Sequence, residues 1–227
     1  MCTTSCNIFN SNGGNNSDDE LPPEVKEIVP DDLLATVEDS LGVSVNRGSS
    51  PPNIESLLAG TQKAKPPEGV TVIMEPFELV ETVVPDDDED QLFYDMYVRM
   101  GNQNTDNEEI DISMRHRQQS VSTGLGGYIT GEDSSFTIFA EQESEREGET
   151  IRSVRVFSGI VTEDGIDNPQ LALMMKENAG FDDIIPNGTG RSFDDGDGLA
   201  EIDEWPEGDA SQSEPSELIL LERLPEK

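Results

Sequence analysis

Positive charge is scarce in this chain: 14 Lys and Arg stand against 49 Asp and Glu, for a net charge of −35. Phosphate recognition needs a basic surface, so the deficit excludes nucleic acid as a partner. It also disfavours adsorption to anionic membrane surfaces. Cysteine is nearly missing. Cys2 and Cys6 both lie at the extreme N-terminus, so no disulfide staples a core and no cysteine cluster holds a metal downstream. No uninterrupted apolar run reaches the ~18 residues that a spanning helix needs. Any histidine-based catalysis would fall to His116 alone. The sequence has no Gly-x-Ser-x-Gly, no His-Glu-x-x-His, no phosphate-binding loop and no dinucleotide fingerprint. These gaps leave a hydrolase built on a carboxylate pair as the one catalytic alternative, because spatial separation rather than spacing decides that chemistry.

Hydrophobic residues make up 33% of the chain, so part of it is too polar to fold. The deficit sits at the ends. Residues 1–28 read as an N-terminus with a disordered polar tether, 29–205 as a β domain with a short N-terminal helix, and 206–227 as an acidic disordered tail. The tail carries one apolar segment, Leu218–Leu221. Thr3-Thr4-Ser5-Cys6 followed by a tether rich in Asn, Gly, Ser and Asp is how a mature bacterial lipoprotein begins. Cys6 is the expected acylation site and Cys2 the second candidate; an apolar leader is then expected upstream. This places the protein at the outer membrane, touching the membrane only through the lipid. The acidity fits a protein adapted to high salt, because in molar salt the Debye length falls to about 3 Å and self-repulsion fades. A merely acidic secreted surface fits it equally.

Leu33, Leu34, Val37 and Leu41 repeat at helical spacing between Pro30 and Gly42, with Asp31 as the expected cap. From Val70 the period changes to two. Counting Ile54–Ala59 as the first, eight alternating runs follow, through 70–83, 92–100, 110–114, 125–130, 136–140, 154–160 and 171–175. Short polar turns separate them, including 131–133, 146–148 and 167–169. The reading is all-β: an antiparallel meander closing as an eight-stranded, lipocalin-like barrel, with an open β-sandwich as the alternative.

The segments VSVNRGSSPPNI (43–54), YVRMGNQN (97–104), SFTIFAE (135–141), VFSGI (156–160) and IPNGTGRSFDDGDGL (185–199) resemble, in this order, a family of uncharacterised lipoproteins of bacterial envelopes. The likeness spans residues 29–202 and implies export and a β domain. It implies no activity. The chain departs from the pattern at Glu55-Ser56-Leu57, where a glycine and an aromatic are expected.

Three sets of residues are candidates for function. If the barrel holds a small hydrophobic ligand, Tyr94, Met96, Met114, His116, Phe136 and Ile138 face it; a filled core is the plainer reading. His116 is expected at a strand end, with Arg115 and Arg117 paired to surface carboxylates. Asp195, Asp197 and Glu204 fit ligand positions of a calcium loop, although Phe193 stands where the first oxygen belongs. Without calcium the same stretch is an acidic turn closing the last element, and Gly188–Ser192 a tight turn. No cofactor is otherwise implied. The expected function is a lipid-anchored, non-catalytic module that binds or scaffolds an envelope protein. The alternative is a lipocalin-like carrier.

Overall fold

The structure is a computed structural model that describes residues 21–55, 69–78, 95–116 and 121–206. Two short helices come first, α1 (Pro23–Ile28) and α2 (Asp31–Ala35), and α2 runs on into a π-helical turn at Thr36–Ser40. The strands are β1 (Ser49–Ser50), β2 (Val70–Met74), β3 (Pro76–Glu78), β4 (Met96–Asn104), β5 (Glu109–His116) and β6 (Val121–Glu132). They continue as β7 (Ser135–Arg146), β8 (Glu149–Val161), β9 (Gly165–Glu177), β10 (Gly190–Asp195) and β11 (Leu199–Asp203).

Neighbours from β2 and β4 through to β9 pair antiparallel in chain order. The last strand, β11, pairs with both β9 and β2, which closes a ring of eight strands. Closure decides for a barrel over an open sandwich. The barrel is uneven. β8 and β9 run for 13 residues each, whereas β2 and β11 have five. β10 lies on the same edge of β9 as β11, opposite Leu171–Met174, so β10 and β11 act as one strand broken by a bulge. β3 prolongs β2 in the same way and pairs with β10.

Alternation places Val70, Val72, Met74, Met96, Val98, Met100, Ile110 and Ile112 on the inner face of the short wall. Phe136, Ile138, Phe157, Leu171, Leu173 and Phe193 fill the interior from the long wall. Phe136 and Phe157 meet tilted, with ring centroids 5.9 Å apart. Ile54 plugs one end, its amide held by Gln103 Oε1 at 2.9 Å.

A second apolar cluster lies outside the ring. Leu21, Val25, Val29, Leu33, Val37, Leu41 and Val43 pack on Phe139, Val154, Val156, Ala172 and Met174. The helical arm therefore covers the outer face of β7–β9 and buries those strands on both sides. Lys176 pins it. Its ammonium donates to the carbonyls of Glu27 and Ile28 at the end of α1 and pairs with the Glu141 carboxylate. Ser192 Oγ donates to the Leu41 carbonyl at 2.8 Å, tying the far end of the arm to β10.

Several expectations change. The tether does not extend to residue 28, because Pro23–Ile28 is helical and Val25 is buried. Pro30 rather than Asp31 occupies the N-cap, without a side-chain bond. Gly42 does end the helical stretch, at a φ of 68°. Ile54 and Glu55 are helical rather than the start of a strand, and residues 56–59 lie outside the described residues. The eighth strand is instead β10–β11. The sequence reads there as two turns, because glycines and aspartates at Gly190, Asp194–Gly198 mask the apolar positions Phe193, Leu199 and Ile202. The turn signal at Asp167–Pro169 marks an irregularity inside β9, where the register with β8 shifts and Asn168 takes a φ of 47°.

Candidate functional site

Four of the six residues expected to face a ligand belong to the inner face. Met96, Met114, Phe136 and Ile138 share the interior cluster, and none is more than 5% exposed. His116 ends β5 opposite Met96. Tyr94 lies outside the described residues, as do Cys2, Cys6 and Arg117. Arg115 donates to the Pro206 carbonyl at 2.7 Å rather than to a surface carboxylate. Met174, by contrast, faces the arm.

The interior also holds charge. Arg155 on β8 and Arg191 on β10 both lie opposite Leu173 of β9, one on each side of it, and are 4% and 0% exposed. Arg155 donates to Ser153 Oγ at 3.1 Å and to Gln142 Oε1 at 2.7 Å, and all four polar residues are buried or nearly so. Sequence reasoning missed this group. Arg155 stands between Val154 and Val156, so alternation puts it on the face opposite to theirs; the valines face the arm and the arginine faces inward. A buried guanidinium is costly unless it is paired and hydrogen-bonded, and Arg is the cation best shaped for that.

Of the calcium candidates, Asp195 and Asp197 belong to the turn between β10 and β11. Asp195 Oδ1 accepts the amides of Asp197, Gly198 and Leu199 at 3.1–3.2 Å, and Oδ2 accepts the amide of Glu75 at 2.7 Å. The carboxylate thus shapes the bulge between β10 and β11 and ties it to β2–β3. Burial pushes its acid strength down, raising the pKa against the opposing pull of the Glu75 amide. Asp197 accepts Leu199 N, and Glu204 lies exposed beyond the end of β11. Among the described residues no three His, Cys, Asp or Glu side chains gather as a metal site.

A further feature appears on the outer wall. On the outward face of the β5–β6 pair, Glu109 lies opposite Tyr128 and Asp111 opposite Gly126. On β4, Gly101 flanks Asp111 from the other side. The fourth corner of this quartet is empty, because Gly126 has no side chain and a Cβ there would meet no atom within 4 Å. A groove of about 310 Å³ results, lined by Asn102, Glu109, Asp111, Gly126, Gly127 and Tyr128. Asn102 takes a φ of 52° at a register shift in β4, and its Nδ2 donates to Asp111 Oδ2 at 2.8 Å. Beside the groove, burial and the nearby Glu24 of α1 raise the pKa of Glu108. The signal for this site lay in the GLGGY run of 124–128, where glycines interrupt an otherwise good strand.

Comparison with protein-family models, with curated proteins and with solved structures finds no match to this chain.

Proposed function

We propose that the chain is a lipid-anchored protein of the bacterial envelope whose barrel binds or scaffolds a partner without performing chemistry. One observation carries this reading: the 310 Å³ groove lies on the outer face of the β4–β6 wall, apart from the interior cluster that holds Met96, Met114, Phe136 and Ile138. A module built this way meets its partner with its wall. The lipid anchor rests on Cys6 and the polar stretch behind it, and the high-salt adaptation on the charge of −35. Metabolic labelling with an alkyne fatty acid, from the native gene with its upstream region, tests the anchor. Label on the wild type that disappears in Cys6→Ser supports it; label that disappears only in Cys2→Ser moves the anchor; an unlabelled wild type overturns it.

A second reading, a carrier of a small hydrophobic ligand, draws support from Arg155 and Arg191. Both guanidinium groups have partners within the protein, and a carboxylate of an amphipathic molecule would have to join those partners on the apolar inner wall. Native mass spectrometry of protein purified from its own host tests this. A copurifying acid that is lost in Arg191→Met favours the carrier, and protein of bare chain mass counts against it.

A further inference from the structure

We infer that the groove on the outer face of β4–β6 receives an arginine side chain of a basic protein partner. This rests on the reading of the barrel as a binding module and specifies what it binds. Three walls of the groove are already fixed. Glu109 and Asp111 project from the same face of β5, two residues and so roughly 7 Å apart. The Asp111 carboxylate is held in place through one oxygen by Asn102, which leaves the other for a newcomer. Across the pair, Tyr128 stands opposite Glu109, its ring partly packed against the arm's apolar cluster. The vacant corner over Gly126 is therefore bounded by two carboxylates and an aromatic ring.

That set of walls selects by charge and shape. Neither phosphate nor carboxylate can enter between Glu109 and Asp111. A cation can, and none of the lining residues supplies one. Glu108, next to Glu109 in the chain, also feels the charge of Glu24, so an incoming positive charge relieves repulsion as well as forming new bonds. A volume of about 310 Å³ is at the lower end of small-molecule sites, which run from roughly 300 to 1,000 Å³. It suits one long side chain. Arginine fits better than lysine, since its planar fork meets carboxylates two bonds at a time and stacks on an aromatic face. The glycines floor the groove so that the stem of the side chain can lie flat against the sheet.

The test uses the whole chain, a capped Gly-Arg-Gly peptide and the same peptide with citrulline, which keeps the shape and loses the charge. Titration at physiological salt is followed by amide NMR shifts. The expected result is saturable shifts confined to Gly126, Gly127 and Tyr128, with the citrulline peptide weaker by about tenfold. Gly126→Leu fills the open corner without straining the backbone; it should retain the wild-type melting curve and lose the response. Asp111→Asn, which can still accept from Asn102, should weaken binding by about tenfold as well. Shifts that spread over the acidic surface without saturating, or a response that survives in Gly126→Leu, overturn the inference. Equal binding of the citrulline peptide, abolished by Gly126→Leu, overturns the choice of a cation but leaves the wall as a binding surface. The two failures are thus told apart.

Discussion

The wall of β7–β9 and the wall of β4–β6 enclose the same interior, yet among the described residues the second apolar cluster covers the outer face of the first. The arm lies over β7–β9, so Phe139, Val154, Val156, Ala172 and Met174 form a second core outside the ring. Over β4–β6 the outer face carries Tyr97, Arg99, Glu109 and Asp111. Covering one wall makes it a fixed support, whereas among the described residues the other keeps an open groove beside Gly126. The wall with two dry faces should also resist opening far longer than the wall with one.

Substitutions can break this comparison. Met174→Ala, under the arm, and Met175→Ala, inside the barrel, should each cost about 2–5 kcal/mol in urea unfolding. On the other wall only the inner position should be that costly, with Met100→Ala in the same range. Arg99→Ala, which loses a stacking contact 4.4 Å above the Trp205 ring, should cost about 0.5–1 kcal/mol. A Met174→Ala cost as small as that of Arg99→Ala would show that the arm is not a second core.

Asp195→Ala comes next. Losing the acceptor for four backbone amides at the β10–β11 bulge should cost about 1–3 kcal/mol. Hydrogen exchange should locate the loss at Leu199–Asp203 and at β2, leaving β7–β8 protected.

The smallest effects concern pH, and they have opposite signs. The pKa of Glu108 is raised by burial and then by Glu24, so its charged form opposes folding. That penalty is present above its folded pKa and vanishes as pH falls to its unfolded value. Glu108→Gln should therefore raise the melting temperature near neutral pH and leave it unchanged in acid. Asp183 is held low by its hydrogen bonds from Arg146, at 2.7 and 3.1 Å. Its contribution is present above the unfolded carboxyl pKa and is lost as pH falls through the folded one. Asp183→Asn should lower the neutral-pH melting temperature slightly, and less in high salt, since the pair is exposed.

The same contrast between walls explains what the sequence made legible. Where one face meets water, as in β4 and β5, strict alternation at Met96, Val98, Met100 and Ile110, Ile112 read correctly. Where both faces are buried, apolar residues crowd every position and the period loses its meaning. Alternation alone puts Val154 and Val156 on one face and Arg155 on the other without saying which face is the interior. The arm itself was half legible, since Leu33, Val37 and Leu41 keep helical spacing, but Pro22–Ile28 offers too few apolar residues to declare a helix before its docking surface is known. β10–β11 escaped because its bulge chemistry, Asp195 with Gly196 and Gly198, mimics a loop. The outer groove could not be read at all without register, because its walls come from residues 102, 109–111 and 126–128, which only strand pairing brings side by side.

The pairing of Glu201 with Ile73 joins strands from opposite ends of the barrel's sequence. During synthesis the sheet must therefore wait, open at one seam, until its final strand has emerged. Such distant closure is intrinsically slow, and the hairpins of β6–β9 can form well before it. A chain released before residue 199 would keep two unsatisfied strand edges, a ready template for sticking to its neighbours.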